Sequence, residues 1–337
     1  MKIAVFEIES WEREAFENFS QEHELLFDER ELDADIAKEY ADIDVASVFI
    51  YSHLDAEILE HFKQLKLITT RSTGVDHIDT DYCGEHGIAV ARVPDYGTHT
   101  VAEHVFALLL AISHKLIEAV DRTRRGDFTQ EGLTGFDLAG RTLGVVGTGD
   151  IGQHTARLGR GFRMEVLAHD IEPRQELAEE IGFRYVELDE LLRRSDVISL
   201  HVPGSEKTEN LIGSGEFDKM KHGAVLINTA RGNIIDTRAM LRALADGTLR
   251  AAGLDVLAEE PIVREEAALL HSYHRKSNKL ESILADHILL RMGNVIVTPH
   301  TAFNTKEAVE RILQITRENI TSFFEGEGQN LVVKPDG

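Results

Sequence analysis

The sequence predicts an α/β protein with two doubly wound parallel sheets. Three observations carry this. A length of 337 residues fits about two domains at roughly 150 residues each. Short apolar runs alternate with longer stretches of helical spacing, as βα units do. The runs also fall into two series, the second opening on a glycine-rich turn.

The first series places strands at Lys2–Phe6, Val45–Tyr51, Leu67–Thr70 and Ile88–Val90, with polar helical stretches such as Trp11–Phe19 and Ala56–Phe62 between them. A long helix is expected over Val101–Arg124, where Val101, Val105, Leu108, Leu109, Ile112 and Leu116 share one face. The second series places strands at Thr142–Val146, Glu165–His169, Val197–His201, Ala224–Asn228, Ala251–Asp255 and Val295–Thr298. Helices at Ile151–Arg160, Arg174–Ile181, Leu188–Arg194 and Thr237–Asp246 fit between them, and six strands complete one doubly wound domain. A mostly helical insertion, 261–292, precedes the sixth strand; insertions at strand ends cap sites or build interfaces. The last helix, Thr305–Phe324, is expected to return to the first domain. That makes the first domain discontinuous, 1–99 with 300–337, around a second domain of 100–299, with a cleft between the two.

Lys plus Arg number 36 and Asp plus Glu 59, a net charge of −23. A surface this acidic repels phosphate backbones and anionic lipid, so neither nucleic acid nor membrane is an expected partner. Cys83 is the only cysteine, which excludes an intrachain disulfide or thiolate metal cluster and fits a reducing compartment. The N-terminal apolar stretch is too short for a signal peptide. The most apolar window, Val105–Ile112, falls far below the ~20 residues of a membrane span. No histidine spacing marks a metal site. A cytoplasmic protein is expected.

The glycine-rich turn reads Gly147-Thr148-Gly149-Asp150-Ile151-Gly152, directly after an apolar strand and opening a helix. In that context Gly147 permits the tight turn, Gly149 lets backbone approach a pyrophosphate, and Gly152 lets helix and strand pack closely. The next strand ends on Asp170, 18 residues past Gly152, close to the ~20 expected of the acid that binds the ribose hydroxyls. That carboxylate repels a 2′-phosphate, and Ile171 and Glu172 supply no cation for one, so NAD is expected rather than NADP.

Three later strands end in Asn228-Thr229-Ala230-Arg231-Gly232, Asp255-Val256-Leu257-Ala258-Glu259-Glu260 and Thr298-Pro299-His300. An Arg, a Glu and a His therefore meet one sheet edge, the set a 2-keto acid reductase needs. A guanidinium binds a carboxylate bidentately and polarises the neighbouring carbonyl. An imidazolium donates a proton as hydride arrives, and a carboxylate behind it keeps it oriented and charged. Each residue alone also reads blandly: Arg231 as a surface ion pair, Glu260 as part of a solvated acidic pair, His300 as a helix-start residue.

Together these runs resemble the NAD-dependent D-2-hydroxyacid dehydrogenases. So do Arg71-Ser72-Thr73-Gly74-Val75-Asp76-His77-Ile78-Asp79 and Tyr96 followed by Val101-Ala102-Glu103-His104. The resemblance covers nearly the whole chain, and the insertion, Tyr96 and the run from Thr298 to Thr305 look most like the D-lactate dehydrogenase branch. It implies a Rossmann NAD-binding domain inserted in a flavodoxin-like substrate domain. It implies catalytic roles for Arg231, Glu260 and His300, with Arg231, Tyr96 and the backbone of Thr73 and Gly74 binding a small 2-keto or 2-hydroxy acid. For NAD it implies Gly147, Gly149, Asp150, Ile151 and Gly152 at the pyrophosphate and Asp170 at the ribose. Val202 and Pro203 would lie near adenine, and Thr208, Thr229, Ala230 and Arg231 along the same groove. Asp255 would meet the nicotinamide amide. It also implies a homodimer joined through the helix around Val101–Leu116.

Glu260 stands where formate dehydrogenase relatives carry Gln, and Thr73 where phosphite dehydrogenase relatives carry Lys, which argues against both. The length leaves no room for the regulatory domain common in phosphoglycerate dehydrogenases. Glyoxylate or hydroxypyruvate reduction stays open, as does a non-enzymatic, NAD-sensing corepressor role; the charge favours a metabolic enzyme.

Overall fold

The computed structural model describes residues 1–258 and 284–334. The chain divides into two compact units, Met1–Tyr96 with Thr305–Gly337, and Gly97–Asn304. The breaks at Tyr96 and Asn304 put the His300 turn in the second unit. The hydrogen bonds described below explain why: that turn is tied to the end of a strand of the second sheet.

The first unit holds β1 (Lys2–Val5), β2 (Glu24–Phe27), β3 (Val45–Val48), β4 (Leu67–Thr70), β5 (Ala89–Ala91) and, from the other end of the chain, β13 (Leu331–Val333). They line up as β13-β5-β4-β3-β1-β2. The first five pair in parallel, the 2-1-3-4-5 order of the flavodoxin-like fold. Every residue of β3 and β4 is buried, Ser47, Thr69 and Thr70 included, which is why neither strand alternates apolar with exposed polar positions. Two strands escaped the sequence reading. β2 is a half-buried edge strand of four residues, and β13 adds to β5 antiparallel, so this sheet is not wholly parallel. Helices α1 (Ala34–Glu39), α2 (Ala56–Leu59) and α3 (Thr80–Glu85) each start on an aspartate, Asp33, Asp55 or Asp79, whose side chain accepts first-turn N–H groups. The stretch expected as helix from Trp11 is a 3-10 helix, Arg13–Gln21. Its cap residue Glu12 offers no cap; the carboxylate accepts Glu9 N instead. The helix Lys306–Phe324 belongs to this unit, packs on β4, and donates from Asn319 Nδ2 to Arg92 O at 2.9 Å.

The second unit is a seven-stranded parallel sheet: β6 (Thr142–Val146), β7 (Glu165–His169), β8 (Arg184–Tyr185), β9 (Val197–Leu200), β10 (Ala224–Asn228), β11 (Leu249–Leu254) and β12 (Val295–Val297). The order β12-β11-β10-β9-β6-β7-β8 is the Rossmann order with one further strand at the edge. All six expected strands are present. β8 has only two residues, too few to leave an apolar run. The winding reverses between β6 and β9, so the carboxyl ends of those strands open the crevice where ligands bind in such sheets.

The long helix expected from Val101 to Arg124 is two helices, α4 (Thr98–Ser113) and α5 (Leu116–Arg124), bent by 61°. Ser113 O accepts Phe136 N at 2.9 Å, Gly135 lies against the same carbonyl, and Lys115 turns left-handed at φ 49°. α4 is packed against α6 (Asp150–Gly161) and β11; α5 buries no residue. Among the described residues no single helix is long and apolar enough to cross a membrane.

Candidate active site

The crevice begins at the turn after β6. Gly147 adopts φ 92°, and a Cβ on it would stand 2.7 Å from the His201 carbonyl oxygen. A Cβ on Gly152 would stand 2.0 Å from Gly147 O, so the helix start closes on the turn only because both residues lack side chains. Gly149 differs: a Cβ there would meet nothing within 4 Å. Gly149 caps α6, and no side chain caps its first-turn amides, which begin at Asp150 and Ile151. An open glycine facing uncapped amides at a helix start is an anion cradle.

Asp170 stands beside this turn. Its Oδ2 accepts Thr148 N at 2.6 Å and Thr148 Oγ1 at 2.8 Å, and its Oδ1 accepts Glu172 N at 3.0 Å. Burial pushes its pKa up, but the bonds from Glu172 and Thr148 and the charge of Arg174 outweigh that and hold it below the ordinary carboxylate value. Arg174 was not anticipated. It donates to Thr148 O from the start of the following helix, too far past Asp170 for the motif to signal it.

On the other side of the crevice, burial pushes His201 down to about 3, so its ring is neutral at physiological pH; its Nε2 lies 2.8 Å from Ser199 Oγ. Val202 lies against the Gly147 turn. Thr208 Oγ1 donates to Pro203 O at 2.6 Å and accepts Ser205 N at 2.9 Å, so this hydroxyl shapes the 203–208 turn. Gly204 lies against the stem of Arg231, where a Cβ would stand 2.8 Å from Arg231 Cγ.

After β10, buried Asn228 scaffolds the next turn: its Oδ1 accepts Ala230 N at 3.0 Å and its Nδ2 donates to Arg231 O at 2.9 Å. Thr229 Oγ1 is buried and has no hydrogen-bond partner among the described residues. A Cβ on Gly232 would stand 2.1 Å from the Leu257 carbonyl, so the turns after β10 and β11 touch backbone to backbone. Asp255 N donates to Asn228 O at 2.9 Å.

Asp255 is 1% exposed. Its Oδ1 accepts Thr298 Oγ1 at 2.5 Å and Thr301 N at 2.9 Å, its Oδ2 accepts Ala302 N at 2.9 Å, and its carbonyl accepts His300 N at 3.0 Å. These bonds hold His300 at φ 53°, a left-handed conformation that costs a non-glycine residue on the order of 1–3 kcal/mol. The carboxylate that the resemblance places at the nicotinamide amide also anchors the His300 turn. Glu260 lies outside the described residues, as does most of the insertion 261–292.

In the first unit, the loop after β4 is pinned by side-chain hydrogen bonds. Arg71 is buried and donates to Phe6 O, Glu7 O and Ser47 Oγ. Ser72 Oγ donates to Gly74 O at 2.7 Å and Thr73 Oγ1 to Val93 O at 2.9 Å. The loop is thereby fixed through its own side chains. Tyr96 is half-buried, and its carbonyl accepts Arg311 Nε at 2.6 Å.

Residues 106–302 match the family described as D-isomer specific 2-hydroxyacid dehydrogenase, NAD binding domain. The chain belongs to this family. The dehydrogenase is 34% identical to a D-lactate dehydrogenase of Escherichia coli, over 97% of this chain and 98% of that one. It is 36% identical to a glyoxylate reductase of Thermococcus litoralis, over 87% and 84%. A crystal structure of D-lactate dehydrogenase from Aquifex aeolicus, complexed with NAD and lactic acid, superposes with a TM-score of 0.87 at 36% identity, over 99% of this chain and 100% of that one. The chain is an NAD-dependent oxidoreductase. The dehydrogenase's own groups fit that cofactor: the open glycine at the α6 start, the Asp170 carboxylate, and on the same sheet edge the buried Thr229 hydroxyl, which has no partner among the described residues. Sequence reasoning missed the scaffold beneath the dehydrogenase's polar turns, namely Asn228, Thr298 and His104. These are single polar residues with no periodic signal, and only the fold brings them to one place.

Proposed function

We propose that this enzyme reduces a 2-keto acid to its D-2-hydroxy acid and runs the reverse reaction, with pyruvate and D-lactate as the pair. One observation carries the reading: a single hydrogen-bonded scaffold, Asn228–Asp255–Thr298, ties the Arg231 and His300 turns together at neighbouring strand ends. The bound nicotinamide supplies the hydride. Arg231 binds the substrate carboxylate through two N–H donors and polarises the adjacent carbonyl. His300 donates a ring proton to the carbonyl oxygen and recovers it from the hydroxyl in the reverse direction. Glu260 is the carboxylate that the family resemblance pairs with His300. The Thr73–Gly74 backbone binds the carboxylate, supported by a loop whose side chains are already spent within the fold. Tyr96 closes on the substrate. Reduction of glyoxylate or hydroxypyruvate is the second reading, favoured by the likeness to a glyoxylate reductase.

The test is NADH oxidation across pyruvate, phenylpyruvate, 2-ketoisocaproate, oxaloacetate, glyoxylate and hydroxypyruvate, with NADPH in parallel. Strong turnover of pyruvate with NADH is expected. Glyoxylate as the preferred substrate would move the assignment to the second reading. NADPH as the better coenzyme would show that Asp170 is misread. Silence throughout, with NADH still bound, would favour a binding protein over an enzyme.

A cytoplasmic homodimer is part of the reading. The resemblance places the contact on the helix around Val101–Leu116, and the exposed apolar side chains continue past it: Leu116 and Ile117 are each 52% exposed and Phe128 79%. Large apolar side chains left this exposed are the kind that association covers. The parent protein should elute at twice its chain mass in light-scattering chromatography, and Ile117→Asp at one. A monomeric parent would remove the dimer from the reading.

A further inference from the structure

We propose that His104 is a positioning residue for the acid–base step, an assignment that rests on His300 being the proton donor. His104 lies within α4, in the run Val101-Ala102-Glu103-His104, and nothing in the sequence gave it work. Its Nε2 lies 3.0 Å from Thr298 Oγ1 and 3.5 Å from Asp255 Oδ1. Thr298 has one hydroxyl hydrogen, and it points at Asp255 Oδ1. The hydroxyl oxygen therefore faces His104 as an acceptor, and the imidazole Nε2–H donates to it.

That bond fixes the direction of the Thr298 hydroxyl, which completes the donor set of a buried carboxylate. Asp255 takes Thr298 Oγ1, Thr301 N and Ala302 N, and His104 is the one basic group within 4 Å of it among the described residues. The turn so held carries His300 in a left-handed conformation, which persists only where the surroundings over-determine it. The relay runs from helix to hydroxyl to carboxylate to the backbone beneath the acid–base ring. It also buttresses the turn against α4, which packs on β11. The groups that hold the ribose and pyrophosphate, at Gly147–Gly152 and Asp170, are not part of it.

Four variants test this by steady-state kinetics and by NADH titration without substrate. His104→Leu removes the donor and should lower kcat by about tenfold or more, within the ~100-fold that a misplaced group costs, with the NADH Kd unchanged. His104→Gln returns an amide N–H at similar reach and should recover kcat to within about threefold of the parent. Thr298→Val cuts the same relay, so the double variant His104→Leu/Thr298→Val should be no slower than Thr298→Val alone. His300→Asn is the control. If His300→Asn is inactive while His104→Leu turns over like the parent, the positioning role is wrong. If Gln is as impaired as Leu, it is also wrong. An active His300→Asn would instead sink the acid–base reading, and this proposal with it.

Discussion

His300→Asn should lower turnover by about 10²–10⁴-fold, the range a positioned general acid supplies, while leaving NADH affinity within about twofold of the parent. Asparagine suits the test because the backbone here is left-handed, φ 53°, a region that asparagine enters more readily than most residues. The turn should survive the change. Its bonds to Asp255 come from the backbone N–H groups of His300, Thr301 and Ala302 and from the Thr298 hydroxyl, none of them from the imidazole. The groups proposed for the pyrophosphate and ribose lie at the ends of β6 and β7, away from the His300 turn after β12. The substitution therefore deletes a ring proton donor and leaves the backbone bonds to Asp255 in place. Fluorescence titration with NADH, beside single-turnover kinetics, separates the outcomes. Loss of NADH binding together with turnover would show that His300 is needed to build the nucleotide site. Full turnover would show that the proton comes from another group.

The sequence was most informative where one physical demand repeats along the chain. Parallel strands buried on both faces are mostly apolar, so β3, β4, β6, β9 and β10 were each visible as a run despite their Ser, Thr or Asn positions. The tight turn after β6 was visible because its demand for glycine at Gly147 and Gly152 is local and steric. What stayed hidden depends on partners distant in sequence. β2 and β8 are edge strands, short and half-exposed, and leave no pattern. The break at Lys115 depends on Phe136 capturing the Ser113 carbonyl, an event invisible in the helical spacing of α4. Asp255 is the instructive residue. The family resemblance gave it a ligand-facing role, and its environment adds a second use, as the buried acceptor that holds the His300 turn. That use could be read only once β11 and β12 were seen side by side.

The glycines of the β6–α6 turn should fail in opposite ways. In Gly152→Ala the new methyl would stand 2.0 Å from the Gly147 carbonyl oxygen, which is backbone and has no rotamer to yield. α6 must then move off its strand. Overpacking of this kind costs typically ~1–3 kcal/mol, so the protein without cofactor should melt measurably earlier, and NADH binding should weaken as the cradle opens. In Gly149→Ala the methyl meets no protein atom within 4 Å, and the residue's φ of −62° and ψ of −166° are open to alanine. Only the loss of glycine as a helix cap opposes it, so thermal stability should shift little. NADH affinity should nonetheless fall by about tenfold or more, because the methyl stands where the motif needs bare backbone beside a pyrophosphate. Thermal denaturation without cofactor and NADH titration, run on both variants, read the two effects separately. A Gly149→Ala enzyme that melts normally and binds NADH like the parent would mean that the pyrophosphate does not approach the chain there. The cradle would then have to be sought elsewhere along the edge of the second sheet.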